Sequence, residues 1–197
     1  MPDHADVRRK ILDAALGLLG EHGFMEVTQP KIARAAGVRQ SHLTYYFPTR
    51  GDLLKALASH SVETLLGSLS SGAAGPLTPE LFAQVTGEAL ADKRRARVML
   101  GLIVSSEEHR DIKQFLREFV ARIRATLTNV ATLLDADPAR TNVAALHMLL
   151  VGATVLNVAR DDANSRRECA QIARLAVETF MPRKPSTRAR KRQRSKT

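Results

Sequence analysis

The chain has 197 residues, 44% of them hydrophobic, enough to bury the core of one domain or of a small domain joined to a larger one. Its single cysteine, Cys169, excludes an internal disulfide framework and a CxxC metal site, and reads as a small buried apolar residue. The formal net charge is +10, but Pro182 to Thr197 holds eight Lys or Arg and no acid, while residues 56–181 carry fourteen of each sign, so the excess sits in a tail and the body is neutral.

From Asp6 to Leu19, the apolar Ile11, Leu12, Ala15, Leu18 and Leu19 recur at three- and four-residue intervals with Arg8, Arg9 and Lys10 opposite, which predicts an amphipathic helix ended at His22-Gly23. A second helix is expected from Thr28, whose hydroxyl can cap free amides, with Pro30 tolerated in its first turn and Gly37 stopping it. A short third helix runs from about Gln40 to Phe47, closed by Pro48. A longer one follows from about Arg50 to Leu69 and ends in the loop SLSSGAAGP.

Five further helices are predicted at Thr78 or Pro79 to Leu90, Asp92 to Ser105, His109 to Leu134, Ala139 to Arg160 and Ser165 to Phe180. No segment sustains period-2 alternation, so the expected fold is all-α. The uncharged run from Thr141 to Ala159 is long enough for a membrane span, but it contains Asn142, His147, Thr154 and Asn157, which favours a helix buried between other helices. No charged n-region followed by an apolar h-region opens the chain, so the expected location is the cytoplasm. The basic tail lacks apolar side chains to offset ordering entropy and reads as disordered.

Two short helices joined by a tight turn with Gly37 have the form of a helix-turn-helix, whose second helix enters the major groove. Three of the chain's eight aromatic residues, Tyr45, Tyr46 and Phe47, crowd into that second helix. At about 100° per residue, Leu43 and Phe47 face a core with Ile32 and Val38, and Ser41 and Tyr45 lie nearly opposite. Tyr45 then meets bases or sugars, Tyr46 packs at the edge with its hydroxyl near a phosphate, and Phe47 anchors the core. A small core beneath a polar surface helix is the alternative reading of these residues.

The stretch from Thr28 to Leu54, TQPKIARAAGVRQSHLTYYFPTRGDLL, resembles the signature of the tetracycline-repressor (TetR) family, with Phe47, Arg50 and Leu53 at its F..K..L positions. The resemblance implies an all-α fold with a helix-turn-helix domain at 1–49 and a helical effector-binding and dimerisation domain at 50–181, with the disordered basic tail at 182–197 read from its composition. Carried over by position, Arg39, Gln40, Ser41 and His42 face base edges, Thr44 and Tyr45 touch base methyls or sugars, and Thr28, Gln29, Tyr46 and Arg50 clamp the backbone. Arg39 stands where the family often has a serine or threonine cap, Thr44 replaces a frequent tyrosine, and Pro30 removes a side chain that reaches DNA in some relatives.

In such a family the C-terminal helices supply a dimer interface and a ligand cavity. Interface candidates are Leu146, Leu149, Leu150, Ala153, Ile172, Ala173, Ala176 and Val177, whose helical spacing fits a monomer core as well. Cavity candidates are Met99, Leu102, Ile103, Phe115, Phe119, Met148 and Gly152, with His147 and Asn157 as polar contacts, and ordinary core packing is the alternative for each. The expected partners are a palindromic double-stranded operator, a second copy of the chain and a small-molecule effector, with no membrane, no cofactor and no metal.

Among rival classes, an enzyme finds little support. The histidines are scattered, and Glu107, Glu108 and His109 read as a solvated helix junction rather than a catalytic cluster. A sequence-indifferent nucleic-acid binder working through the tail would depend strongly on salt.

Overall fold

The structure is a computed structural model that describes residues 4–22, 27–70 and 76–184. The stretch at 71–75, read above as loop, and the tail beyond 184 lie outside the described residues, as does Gly23. Among the described residues the regular elements are helices α1 (His4–His22), α2 (Gln29–Ala35), α3 (Gln40–Tyr46), α4 (Arg50–Ser70), α5 (Pro79–Ala91), α6 (Lys93–Ser105), α7 (Arg110–Leu133), α8 (Val143–Arg160) and α9 (Ala163–Phe180). They include no strand, only an isolated antiparallel bridge between Ala136 and Arg183.

The helix boundaries have local causes. α2 ends in a Schellman motif, in which the Val38 amide donates to the Ala33 carbonyl at 3.0 Å and the Gly37 amide to the Arg34 carbonyl at 3.1 Å. Gly37 stands at φ +66°, a left-handed conformation that a side chain would oppose. α4 opens on a reciprocal cap: the Asp52 amide donates to the Thr49 hydroxyl at 3.0 Å, and the Thr49 amide to the Asp52 carboxylate at 3.2 Å. α9 opens on the same device built from Asp162 and Ser165.

Two expectations about helix ends are corrected. The Thr28 hydroxyl makes no cap bond; Thr28 holds α2 only through its carbonyl, which accepts from the Ile32 amide at 3.0 Å. The eighth helix begins at Val143, not Ala139. Asp137 turns the chain first, accepting at its carbonyl from the Arg140 and Thr141 amides, and the Asn142 side chain then caps the Ala145 amide at 2.9 Å.

Packing gathers the helices around two apolar clusters. The first joins Ile11, Leu12, Ala15 and Leu19 of α1 to Ile32, Leu43 and Phe47, and continues through Leu53, Leu54 and Leu57 of α4 into Val98 and Leu102 of α6 and Ile112 and Phe119 of α7. The second is built by α5, α7, α8 and α9 around Phe82, Leu146, Cys169, Ala173 and Ala176. α5 and α9 approach so closely at Gly87 that a Cβ there would stand 3.0 Å from the Ala170 Cα.

α8 is long and apolar enough, by length and composition, to cross a membrane, yet one side of it packs on α5 and α9. It is not buried on all sides, as its apolar sequence suggested: Leu146 and Leu150 are covered, whereas Met148, Val151, Val155 and Leu156 are exposed. A helix apolar all round can bury only the stripe its neighbours reach.

Candidate nucleic-acid interface and ligand cavity

The seven residues of α3 divide as their helical phase requires. Leu43 is 0% exposed and the capping Phe47 2%, whereas Tyr45 is 74% exposed and Gln40, Ser41, His42 and Thr44 are also at the surface. The Tyr45 ring stands edge-on to Tyr46, with centroids 5.3 Å apart at 82°. Tyr46 is half-buried against the first cluster and so braces Tyr45 from below. The Arg8 guanidinium of α1 lies 5.6 Å from the centre of the Phe47 ring, tying the end of α3 to α1.

Arg39 occupies the N-cap position of α3 without a side-chain cap bond; the first turn closes through its carbonyl, which accepts from the His42 amide at 3.0 Å. The exposed Arg39 side chain is therefore not consumed in capping. The Thr44 hydroxyl donates to the Gln40 carbonyl at 3.0 Å, so outward it offers a methyl and an acceptor oxygen. Thr28 is exposed and Gln29 half-buried at the start of α2, and Arg50 is exposed at the start of α4.

A cavity of about 240 Å³ lies between α4, α5, α6, α7 and α8. Of the residues expected to line it, Met99, Ile103, Phe119 and His147 do so. Leu102 is fully buried in the first cluster and Phe115 packs on the same cluster, stacked on Phe119 at 5.5 Å. Met148 and Gly152 line instead a groove between α8 and α9, with Leu149, Ala153, Leu156 and Ile172. Asn157 is a structural group: its amide donates to the Leu90 and Ala91 carbonyls at 3.3 and 3.2 Å, satisfying the end of α5, and its carbonyl accepts from the Ser165 hydroxyl at 2.9 Å.

Burial and the Arg124 charge push the His147 imidazole below its usual pKa, so it is neutral near pH 7. The reading of the sequence missed Arg95, which also lines the cavity. The signal was present, since Arg95, Met99 and Ile103 are spaced by four and share one stripe of α6.

The expected interface residues separate in the same way. Leu146, Leu150, Ala173, Ala176 and Val177 are buried within the chain's own second cluster, while Leu149, Ala153 and Ile172 are only partly covered. Glu107, Glu108 and His109 stand exposed in the turn after α6, and among the described residues no three His, Cys, Asp or Glu side chains converge as a metal site would require.

An exposed short helix set across a glycine turn from its partner, on a helical body with an apolar cavity open on one side, has the form of a helix-turn-helix protein. The sequence profile of bacterial regulatory proteins of the tetR family matches residues 11–57. The HTH-type transcriptional regulator BetI of Rhizobium meliloti (strain 1021) is 30% identical over 144 residues, which cover 68% of this chain and 69% of that one. BetI of Brucella canis is 28% identical over 125 residues, 61% of this chain, and the match spans 63% of that relative's length. A transcriptional regulator from Saccharomonospora viridis, solved in complex with choline, superposes with a TM-score of 0.65 at 16% identity over 88% of this chain and 96% of that one, a likeness of fold. The chain belongs to the tetR family of bacterial regulatory proteins, which are DNA-binding transcription regulators and not enzymes.

Proposed function

We propose that the protein is a cytoplasmic repressor that binds a palindromic operator as a homodimer and leaves it when a small molecule occupies the cavity. The observation that carries this reading is the division of α3, with Leu43 and Phe47 sunk in the core and Tyr45, Gln40, Ser41 and His42 presented outward. Gln40 has the geometry for a two-point pair with adenine, and Tyr45 and Thr44 suit methyls and sugars. Arg39 reads base edges, and Thr28, Gln29, Tyr46 and Arg50 hold phosphates.

In this reading residues 1–49 form the reader, 50–181 the effector and dimer domain, and 182–197 a basic tail that adds affinity without choosing sequence. A second copy covers the exposed apolar side of α8 along Met148, Gly152 and Leu156, beside the half-covered Leu149, Ala153 and Ile172, and this sets two recognition helices about 34–36 Å apart for successive major grooves. The apolar cavity supports effector binding, and the choline complex of a protein of this fold is a precedent for a small guest. An effector releases the operator only by binding better to a conformer whose helices miss the groove spacing.

Selection of binding sites from random DNA, followed by mobility shifts with the full chain, tests the reading. A single palindromic motif should emerge, and Gln40→Ala should cost affinity at some sites and not at others. Deleting residues 182–197 should leave the motif preference and make the salt dependence shallower. Loss of all binding on that deletion would instead favour a sequence-indifferent nucleic-acid binder.

A further inference from the structure

We infer that the cavity takes a small amphipathic anion, a carboxylate with an apolar body, whose head pairs with Arg95. This rests on the reading of that cavity as the effector site. The lining contains no Asp or Glu; Arg95 is its one side chain of fixed charge, half-buried among residues such as Met99, Ile103 and Leu100. Among the described residues Arg95 makes no hydrogen bond or ion pair. Asp92, whose charge also acts on Arg95, is hydrogen-bonded elsewhere, taking Arg94 Nε on one oxygen and Nη2 on the other, both at 2.8 Å. A guanidinium held in apolar surroundings is costly until its fork of donors meets a planar acceptor, and a carboxylate matches it in two-point fashion.

Three of the four hydroxyls in the lining are already spent, and Thr86 supplies the fourth. The hydroxyls of Ser61, Thr126 and Thr154 donate to the Leu57, Arg122 and Leu150 carbonyls at 2.8, 3.0 and 2.9 Å. These three offer acceptor oxygens only, which leaves Arg95, with neutral His147 and the Thr86 hydroxyl, to meet an anion. A quaternary ammonium ion finds no carboxylate in the lining, and the Phe119 ring already carries the Arg122 guanidinium 5.8 Å from its centre, which leaves Phe82 as the other aromatic ring there.

Titration calorimetry of the full chain with octanoate, octan-1-ol and octyltrimethylammonium tests the inference. Octanoate should bind tightest; Arg95→Met should weaken octanoate about 10- to 100-fold and leave octanol unchanged, and Arg95→Lys, which keeps the charge but loses the two-point fork, should fall between the two. Should Arg95→Met fail to fold by circular dichroism, the preference of the unaltered chain for octanoate over octanol decides. Failure of octanoate to bind, tighter binding of the ammonium ion, or an unaltered octanoate affinity in a folded Arg95→Met protein overturns the inference. Binding of octanol or the ammonium ion without octanoate would overturn the charge assignment alone and leave an effector site, whereas no binding by any of the three would remove both.

Discussion

The Arg97 guanidinium of α6 donates to the Gly20 carbonyl near the end of α1 at 2.9 Å, and also to the Leu19 carbonyl. These are among the final carbonyls of α1, which lack partners within their own helix, and a cation there is favoured by the helix dipole. Arg97 stands between Arg95 and Met99, both on the cavity wall, so one turn of α6 touches the cavity and α1 together. His60 of α4 meets Asp13 of α1 at 2.9 Å, a second tie between the same two regions. We expect Arg97→Ala to lower stability by about 1–3 kcal/mol, measured by urea unfolding, because hydrogen bonds to a charged group are lost. It should also shrink the effect of a cavity ligand on operator affinity more than it shrinks ligand affinity itself. Equal losses in both would make Arg97 a purely structural residue.

Tyr45→Ala and Leu43→Ala should separate reading from folding, although the two residues are two apart on one short helix. Tyr45 is at the surface, so its removal should change stability by no more than about 0.5 kcal/mol while weakening operator binding in a site-dependent way. Leu43 is fully buried, and Leu43→Ala should cost about 2–5 kcal/mol. Thermal unfolding and mobility shifts on the same preparations check both. A Tyr45→Ala protein as unstable as Leu43→Ala would contradict the division of α3.

Asn157→Leu should destabilise the chain despite adding an apolar group to a buried site. The replacement leaves the Leu90 and Ala91 carbonyls without their side-chain donor, at about 1–3 kcal/mol for each group left unsatisfied, while the Ser165 hydroxyl keeps the Asp162 carbonyl at 2.9 Å. Asn157→Asp should fail as well, since a carboxylate cannot donate to those carbonyls. Urea midpoints for the two variants, compared with the unaltered protein, decide the matter.

Acid should destabilise the fold through two depressed carboxylates. The hydrogen bond from Thr49, followed by that from Lys55, holds the Asp52 carboxyl below its usual pKa. For Asp92 burial pushes upward, but the bonds from Arg94 outweigh it and the carboxyl is again lowered. A carboxylate depressed in the folded state contributes stability that is complete above the unfolded pKa, about 3.9, and is lost as pH falls through the lower folded value. Stability measured in urea should therefore show no loss from these groups between pH 7 and 5 and should fall below about pH 4, with Asp92→Asn reducing the slope. Gain of stability on acidification to pH 3 would contradict this.

Local signals carried most of the architecture. Each helix was visible because its period, caps and breakers lie within a few residues of one another, and α3 was legible to the level of single side chains because its apolar seam is only Leu43 and Phe47. Gly37 announced its turn because few other residues accept a left-handed backbone there.

What the one-dimensional pattern left open was the direction of side chains on helices without a polar side. α8 is apolar around most of its circumference, so Leu146 and Met148 look equivalent in sequence, and only the placement of α5 and α9 buries the first and exposes the second. The destination of Asn157, a cap on α5 some 66 residues earlier in the chain, has no local signature for the same reason. Arg95 was hidden among the cations of α6, and its position on the cavity wall depends on α4, α5, α7 and α8 closing around it. Sequence by itself thus determined the helices and the helix-turn-helix, whose rules are short-range; the tertiary structure alone decided which apolar stripe is core, which faces open groove, and which charge looks into the cavity, because burial is a property of neighbours brought together from far along the chain.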